Sequence, residues 1–180
     1  KPRFARKHLI AIVAVAVSIV LAGGAFFIMN RPTDEATDTS NEVVLEKMSA
    51  VVSAVEGDVE FKRGEDDWKE LVEDTDLQKD DKIRTKDDSR AAVTFGDKSI
   101  VRLNAATTIT IQQLGNERIV VTNEAGQIYA RVAQSNDRTF AIDINDHLFT
   151  ARGTAYKTFN TGDTTGVEVY HNSVKVDETE

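Results

Sequence analysis

The sequence predicts an all-β domain of about a dozen short, mostly antiparallel strands, arranged as a two-sheet sandwich or a rolled sheet and preceded by one transmembrane α-helix. Three observations carry this prediction. An uncharged apolar run, "LIAIVAVAVSIVLAGGAFFIM", occupies Leu9–Met29. From Val51 onward apolar residues recur mostly at every second position, the period of a strand with one buried face. Short clusters of Gly, Asn, Asp and Ser separate those runs, as hairpin connections require.

The apolar run is long enough to cross a bilayer, since roughly 20 residues at about 1.5 Å rise match a hydrocarbon layer about 30 Å thick. Lys1, Arg3, Arg6 and Lys7 precede it, whereas Asp34, Glu35, Asp38 and Glu42 follow it. That asymmetry places residues 1–8 as a basic cytoplasmic flank and residues 9–29 as the membrane anchor, with everything beyond outside the cytoplasm, periplasmic or at the cell surface. A cleaved signal peptide ending at Ala22-Gly23-Gly24 is the rival reading, opposed by the continuation of the run through Phe26, Phe27 and Ile28.

Residues 30–50 form an acidic tether and lead-in. The stretch "NRPTDEATDTSN" is polar and interrupted by Pro32, a composition that cannot bury enough apolar surface to fold. "EVVLEKMSAVV" then reads either as a short helix capped by Ser40 or as the approach to the first strand. Residues 51–180 make the β-domain. Its alternating runs include Val59 and Phe61, Ala91 to Phe95, Ile109 and Ile111, Ile128 to Val132, Phe140 to Ile144, Val167 and Val169, and Val174 and Val176. Turns are predicted at "TKDDS", "FGDKS", "NEAG", "QSND" and "HNS", among others. A stacked solenoid is the alternative architecture, disfavoured because no fixed repeat period is present.

Composition narrows function. The chain has 180 residues, 22 Lys and Arg against 30 Asp and Glu, and no cysteine. Four of the basic residues and none of the acidic ones lie in residues 1–30, so the remainder is strongly acidic and nucleic acid is excluded as the expected partner. Without cysteine there are no disulfides, thiolate metal sites or thiol nucleophiles. The three histidines, His8, His147 and His171, have no metal-ligand spacing. The pairs Asp66-Asp67, Asp80-Asp81 and Asp87-Asp88, and "DIND" at 143–146, read as turn and solvent carboxylates, because adjacent strand residues point to opposite faces. No catalytic, cofactor or metal residue is assigned. An envelope hydrolase would need converging carboxylates or a Ser–His pair, and neither occurs at useful spacing.

One stretch breaks the period. In "LFTARGTAYKTF", Phe149 and Ala151 share one parity while Tyr156 has the other, so an uninterrupted strand would turn its second half inside out. The expected remedy is a bulge at Gly153, braced by Arg152 against a carboxylate such as Asp81 and against freed backbone carbonyls. Trp68, followed by Leu71 and Leu77, is expected to pack in a loop folded over the core.

The order of these landmarks resembles the FecR-like domain, the exported part of ferric-citrate-type transmembrane regulators. The resemblance runs through "VEGDVEFKRG", Trp68, "LQKDDKIRT", "SRAAVTFGDKSIVRL", "TTITIQQL", "GQIYARV", "ARGTAYKT" and "GVEVYHNSVKV", covering roughly Val51 to Val176. It marks Gly57, Trp68, Asp81, Arg152, Gly153, Thr154 and Tyr156 as family-motif residues of structural type. Two positions depart from it: Asp80 and Asn172 stand where glycines are usual. The resemblance implies a non-catalytic sensory or regulatory module acting through an unidentified protein or envelope partner, with a passive surface scaffold or adhesin as the alternative. Only eight residues precede Leu9 and the first residue is Lys, so sigma-factor control does not follow from the resemblance.

Overall fold

The structure, a computed structural model, describes residues 48–178. The anchor expected at residues 9–29, its basic flank and the tether up to residue 47 lie outside the described residues. Among the described residues no helix is long and apolar enough to cross a membrane.

The fold is all-β. Fourteen strands follow in order: β1 (Ala50–Glu56), β2 (Val59–Arg63), β3 (Lys69–Glu70), β4 (Asp76–Leu77), β5 (Asp81–Thr85), β6 (Arg90–Phe95), β7 (Ile100–Leu103), β8 (Thr108–Leu114), β9 (Arg118–Arg131), β10 (Thr139–Ile144), β11 (His147–Ala151), β12 (Ala155–Asn160), β13 (Thr165–His171) and β14 (Val174–Glu178). Two of them, β3 and β4, are two-residue stubs. All pairings are antiparallel except that of β10 with β9, which is parallel.

One strand organises the rest. The first half of β9 pairs with β8 and β10, and its second half pairs with β7 and β12. The sheet is therefore continuous yet curled into two wings. One wing runs β3-β2-β5-β8-β9-β10-β11-β14, the other β4-β1-β6-β7-β9-β12-β13. Of the two architectures the sequence allows, this is the rolled sheet, with sandwich-like packing between its wings. Phe95 of β6 meets Phe140 of β10 edge-on, ring centroids 5.4 Å apart.

The switch occurs at "NEAG", which is not the turn that its composition predicts. At this point β9 carries one residue more than β8, Thr108 facing Ala125 and Ile109 facing Asn123, and Gly126 has φ +86. A bulge followed by a left-handed glycine bends a strand sharply without ending it. An ideal Cβ on Gly126 would lie 2.4 Å from Thr107 Oγ1 and 2.5 Å from the Ala106 carbonyl oxygen.

Alternation places the core as expected. Val93, Val101, Leu103, Ile109, Ile111, Ile128, Ile142 and Ile144 are all buried within a single apolar cluster shared by both wings. Tight connections have the chemistry the sequence shows. "FGDKS" is a hairpin between β6 and β7, with Lys98 N–H donating to the Phe95 carbonyl at 2.8 Å. Asn145 and Asp146, both at positive φ, supply the two-residue β10–β11 turn whose twist suits paired strands.

Candidate interaction site

The "ARGT" segment is a corner between wings rather than a bulge inside one strand. β11 pairs with β10 and β14 in one wing, whereas β12 pairs with β9 and β13 in the other. Crossing from wing to wing exchanges the parity of inward-facing residues, so Phe149, Ala151, Thr154, Tyr156 and Thr158 are all buried. Gly153 has φ +62, and its N–H donates to the Ala133 carbonyl at 3.3 Å. The Tyr156 hydroxyl crosses between wings to donate to the Phe149 carbonyl at 3.3 Å. Burial pushes the Tyr156 phenol far up from its ordinary range, so it stays a neutral donor. Thr154 Oγ1 donates to the His171 carbonyl, and Asn172 Nδ2 donates to the Gly153 carbonyl. The irregularity in pairing falls on the neighbouring strand: Ala155 faces His171 while Tyr156 faces Val169, leaving Tyr170 as the extra residue of β13.

Arg152 is exposed and makes no ion pair among the described residues. The expected brace on Asp81 is not formed. Asp81, 0% exposed, is instead gripped by Arg63, whose Nε and Nη2 donate to its two oxygens at 2.9 and 2.8 Å. The Gln78 N–H also donates to it at 2.8 Å. Arg63 stands opposite Asp81 in the β2–β5 register, which makes it the nearer guanidinium; both residues were present in the sequence, but only the pairing of β2 with β5 selects between the two arginines. This bidentate arrangement satisfies a buried carboxylate where a point charge would leave lone pairs unpaired.

Gly57, at φ +80, lies so close to Ser89 that a Cβ would stand 2.6 Å from its Oγ; Ser89 Oγ in turn accepts the Asp58 N–H at 2.9 Å. Trp68 is not a core residue. It is half-buried on the outer face, where the Arg84 guanidinium sits 4.0 Å from the ring centroid and Lys62 Nζ 5.7 Å away. Leu71 and Leu77 alone of that stretch enter the core. Arg84 and Lys86 both contact Glu60, and their hydrogen bonds hold its carboxyl below the usual range.

The two glycine positions occupied by Asp80 and Asn172 retain glycine's conformation, with φ +70 and +58. Asp and Asn tolerate that region better than other side chains yet still pay for it. Asp80→Gly is therefore expected to raise stability by up to about 1 kcal/mol, offset in part by the greater freedom of the unfolded chain. The gain should be smaller for Asn172→Gly, which also loses the bond to Gly153. Urea titrations of the two variants test this ordering.

Asp143 is the buried carboxylate that lacks such support. Its Oδ1 has no hydrogen-bond partner, and burial, then the nearby Asp146 charge, raises its pKa. A raised folded value means that the protonated form favours folding; that contribution is complete below the unfolded value of about 3.9 and lost as pH rises through the folded one. Asp143→Asn should accordingly raise the unfolding midpoint at pH 7 and leave it little changed at pH 3. Of the paired carboxylates read as turn and solvent groups, Asp81 and Asp143 are buried; among the described residues no group of three or more His, Asp or Glu could hold a metal ion. His147 makes an ordinary bond, its Nδ1 lying 2.8 Å from the Asn145 carbonyl oxygen.

The surface feature with most contact potential lies at the sheet edges. β3 and β4 close one side of the wings as stubs too short to template another chain. On the other side, β13 pairs only with β12 and β14 only with β11, and the turn at Asn172 joins the two. Val169, Tyr170 and Val176, exposed by 39%, 53% and 50%, lie on these two strands and are three of the four large apolar residues exposed among the described residues. Period-two patterning placed both strands, but whether they would be inner or edge strands depends on pairing partners.

Comparison with known proteins is specific on the family. The FecR protein family model matches residues 81–175. No curated protein matches the chain. Two crystal structures of a candidate anti-sigma factor from Parabacteroides distasonis ATCC 8503, at 2.50 and 1.65 Å, are similar to it at 20% identity and TM-score 0.49. Each similarity covers 55% of this chain and 47% or 48% of the other, so this chain spans less than half the length of that protein. The matched segment includes more than half of the sequence and holds Asp81, the β9 crossing and the Arg152–Tyr156 corner: the chain belongs to the FecR protein family.

Proposed function

We propose that this chain is the interaction module of a signalling regulator, held to the cytoplasmic membrane by residues 9–29 and displaying its β-domain outside, where it binds a protein partner along the β13 and β14 edges. Membership of the FecR family supports the regulatory role. The observation that carries the mode of binding is the two edge strands, one ending each wing and joined by a single turn, that bear Val169, Tyr170 and Val176. An open edge offers unpaired backbone donors and acceptors to an incoming strand, and apolar side chains beside it add buried area. The bulge at Tyr170 leaves Thr165–Val169 as the regular part of the β13 edge. Binding rather than catalysis is the chemistry this surface supports.

The absence of cysteine makes the test clean. Val169→Cys in the full chain, expressed in its native membrane, should react with a membrane-impermeant maleimide in intact spheroplasts, whereas labelling only after lysis would refute external display. Val169→Lys together with Val176→Lys should lower copurification of the partner and the regulatory response at least tenfold while leaving the unfolding midpoint unchanged. An unchanged response would remove the edges from the mechanism.

A further inference from the structure

A second surface, on the outer face of the wing that ends in β14, has a chemistry that strand addition does not use. The β9–β10 register places Arg118 beside Thr139. The β10–β11 and β11–β14 registers place Phe140 beside Ala151 and Ala151 beside Val174. One residue along each strand, the next row on the opposite face reads Arg118, Thr139, Arg152, Ser173, because side chains alternate between faces. The adjacent row on that face holds Thr150 beside Lys175. These six residues line a groove of about 500 Å³.

In a chain of net charge −8, the groove gathers three cations against one carboxylate, Asp177, which contacts Lys175 at 2.8 Å. Neither guanidinium and none of the three hydroxyls has a side-chain hydrogen bond or ion pair among the described residues. Arg118 and Arg152 are two strands apart, about 10 Å between backbones at ~4.8 Å per strand, close enough for two extended guanidinium side chains to converge on one group between them.

We propose that this groove binds a phosphoryl group. A carboxylate has two oxygens and about four lone-pair sites, and one guanidinium fork with one or two further donors fills it. Two forks, an ammonium and three hydroxyls match instead a group with three or more acceptor oxygens and a charge approaching −2. Arg152 thereby has a ligand-facing role, in place of the internal brace that its position beside the corner glycine suggests. Thr139, Thr150 and Ser173 supply neutral donors that fix orientation, and Lys175 supplies charge.

The test is calorimetric titration of the full chain in zwitterionic detergent with inorganic phosphate and, separately, with glycerol 3-phosphate, the head of anionic glycerolipids, against acetate at equal ionic strength. Saturable binding of at least one phosphate compound, tenfold or more tighter than acetate, is expected, and the tighter of the two distinguishes a free from an esterified source. Arg152→Ala and Arg118→Ala should each weaken it at least tenfold at an unchanged unfolding midpoint. Arg131→Ala, an exposed cation on the other wing, should not. Should Arg118→Ala fold poorly, Arg118→Lys keeps the charge without the fork and should still weaken binding severalfold. Equal binding of acetate, no saturable binding of either phosphate compound, or full affinity in Arg152→Ala would overturn the proposal. The groove shares β14 with the proposed binding edge, but Arg118→Ala and Arg152→Ala leave β13 and β14 unaltered, and the edge variants are scored separately, by partner copurification.

Discussion

Gly126→Val leaves the β-domain largely unfolded. A side chain at φ +86 carries about 1–2 kcal/mol of backbone strain. The new Cβ would also stand 2.5 Å from the Ala106 carbonyl oxygen and 2.6 Å from Thr107 Cα, backbone atoms that cannot rotate away. Relief requires β8 and β9 to part where β9 changes wings, which disrupts pairing in both. A loss beyond about 4 kcal/mol is expected, enough to consume much of a typical stability of about 5–15 kcal/mol. Gly64→Ala is the control: it shares a positive φ, +53, but apart from its chain neighbours nothing lies within 4 Å of its Cβ, so it should cost only about 1 kcal/mol. Comparable unfolding midpoints for the two variants would show that strain alone matters at Gly126 and that the crossing tolerates bulk.

Tyr156→Ala is expected to cost about 3–5 kcal/mol, the range for deleting a fully buried aromatic ring. The ring fills the space behind the corner, where the two wings meet. Tyr156→Phe separates the hydroxyl from the ring: the single bond to the Phe149 carbonyl is worth about 1 kcal/mol. Urea titrations of both variants check the partition. If Phe proved as damaging as Ala, the hydroxyl rather than the packing would hold the corner.

The parity change around Gly153 was legible as a conflict between Phe149 and Tyr156, and both side chains do face the core. What resolves the conflict was not legible. A bulge and a change of sheet produce the same one-residue shift in the sequence; only the partners of β11 and β12 distinguish them. The reverse holds at "NEAG", whose Asn and Gly have turn chemistry while the backbone continues as one strand, because both halves of β9 find partners.

Asp81 and Trp68 illustrate a second limit. That a carboxylate kept ionised inside the fold needs a cationic partner follows from its desolvation cost, but the choice of Arg63 over Arg152 rests on contacts 18 residues apart in the chain. Trp68 has the hydrophobicity of a core residue; Arg84 and Lys62 supply an alternative cover on the outside of the sheet, and cation stacking on an aromatic face stabilises it there.

Alternation, turn chemistry and charge are local properties, written in neighbouring residues, and they determined by themselves that this chain forms an acidic all-β domain with an inward set of Val, Ile and Phe. Strand order, the curl at Gly126, the open β13 and β14 edges and the row from Arg118 to Ser173 were decided only by the tertiary structure. Each depends on which distant strand supplies the hydrogen-bonding partner, and a period of two in side-chain direction is the same whichever strand that is.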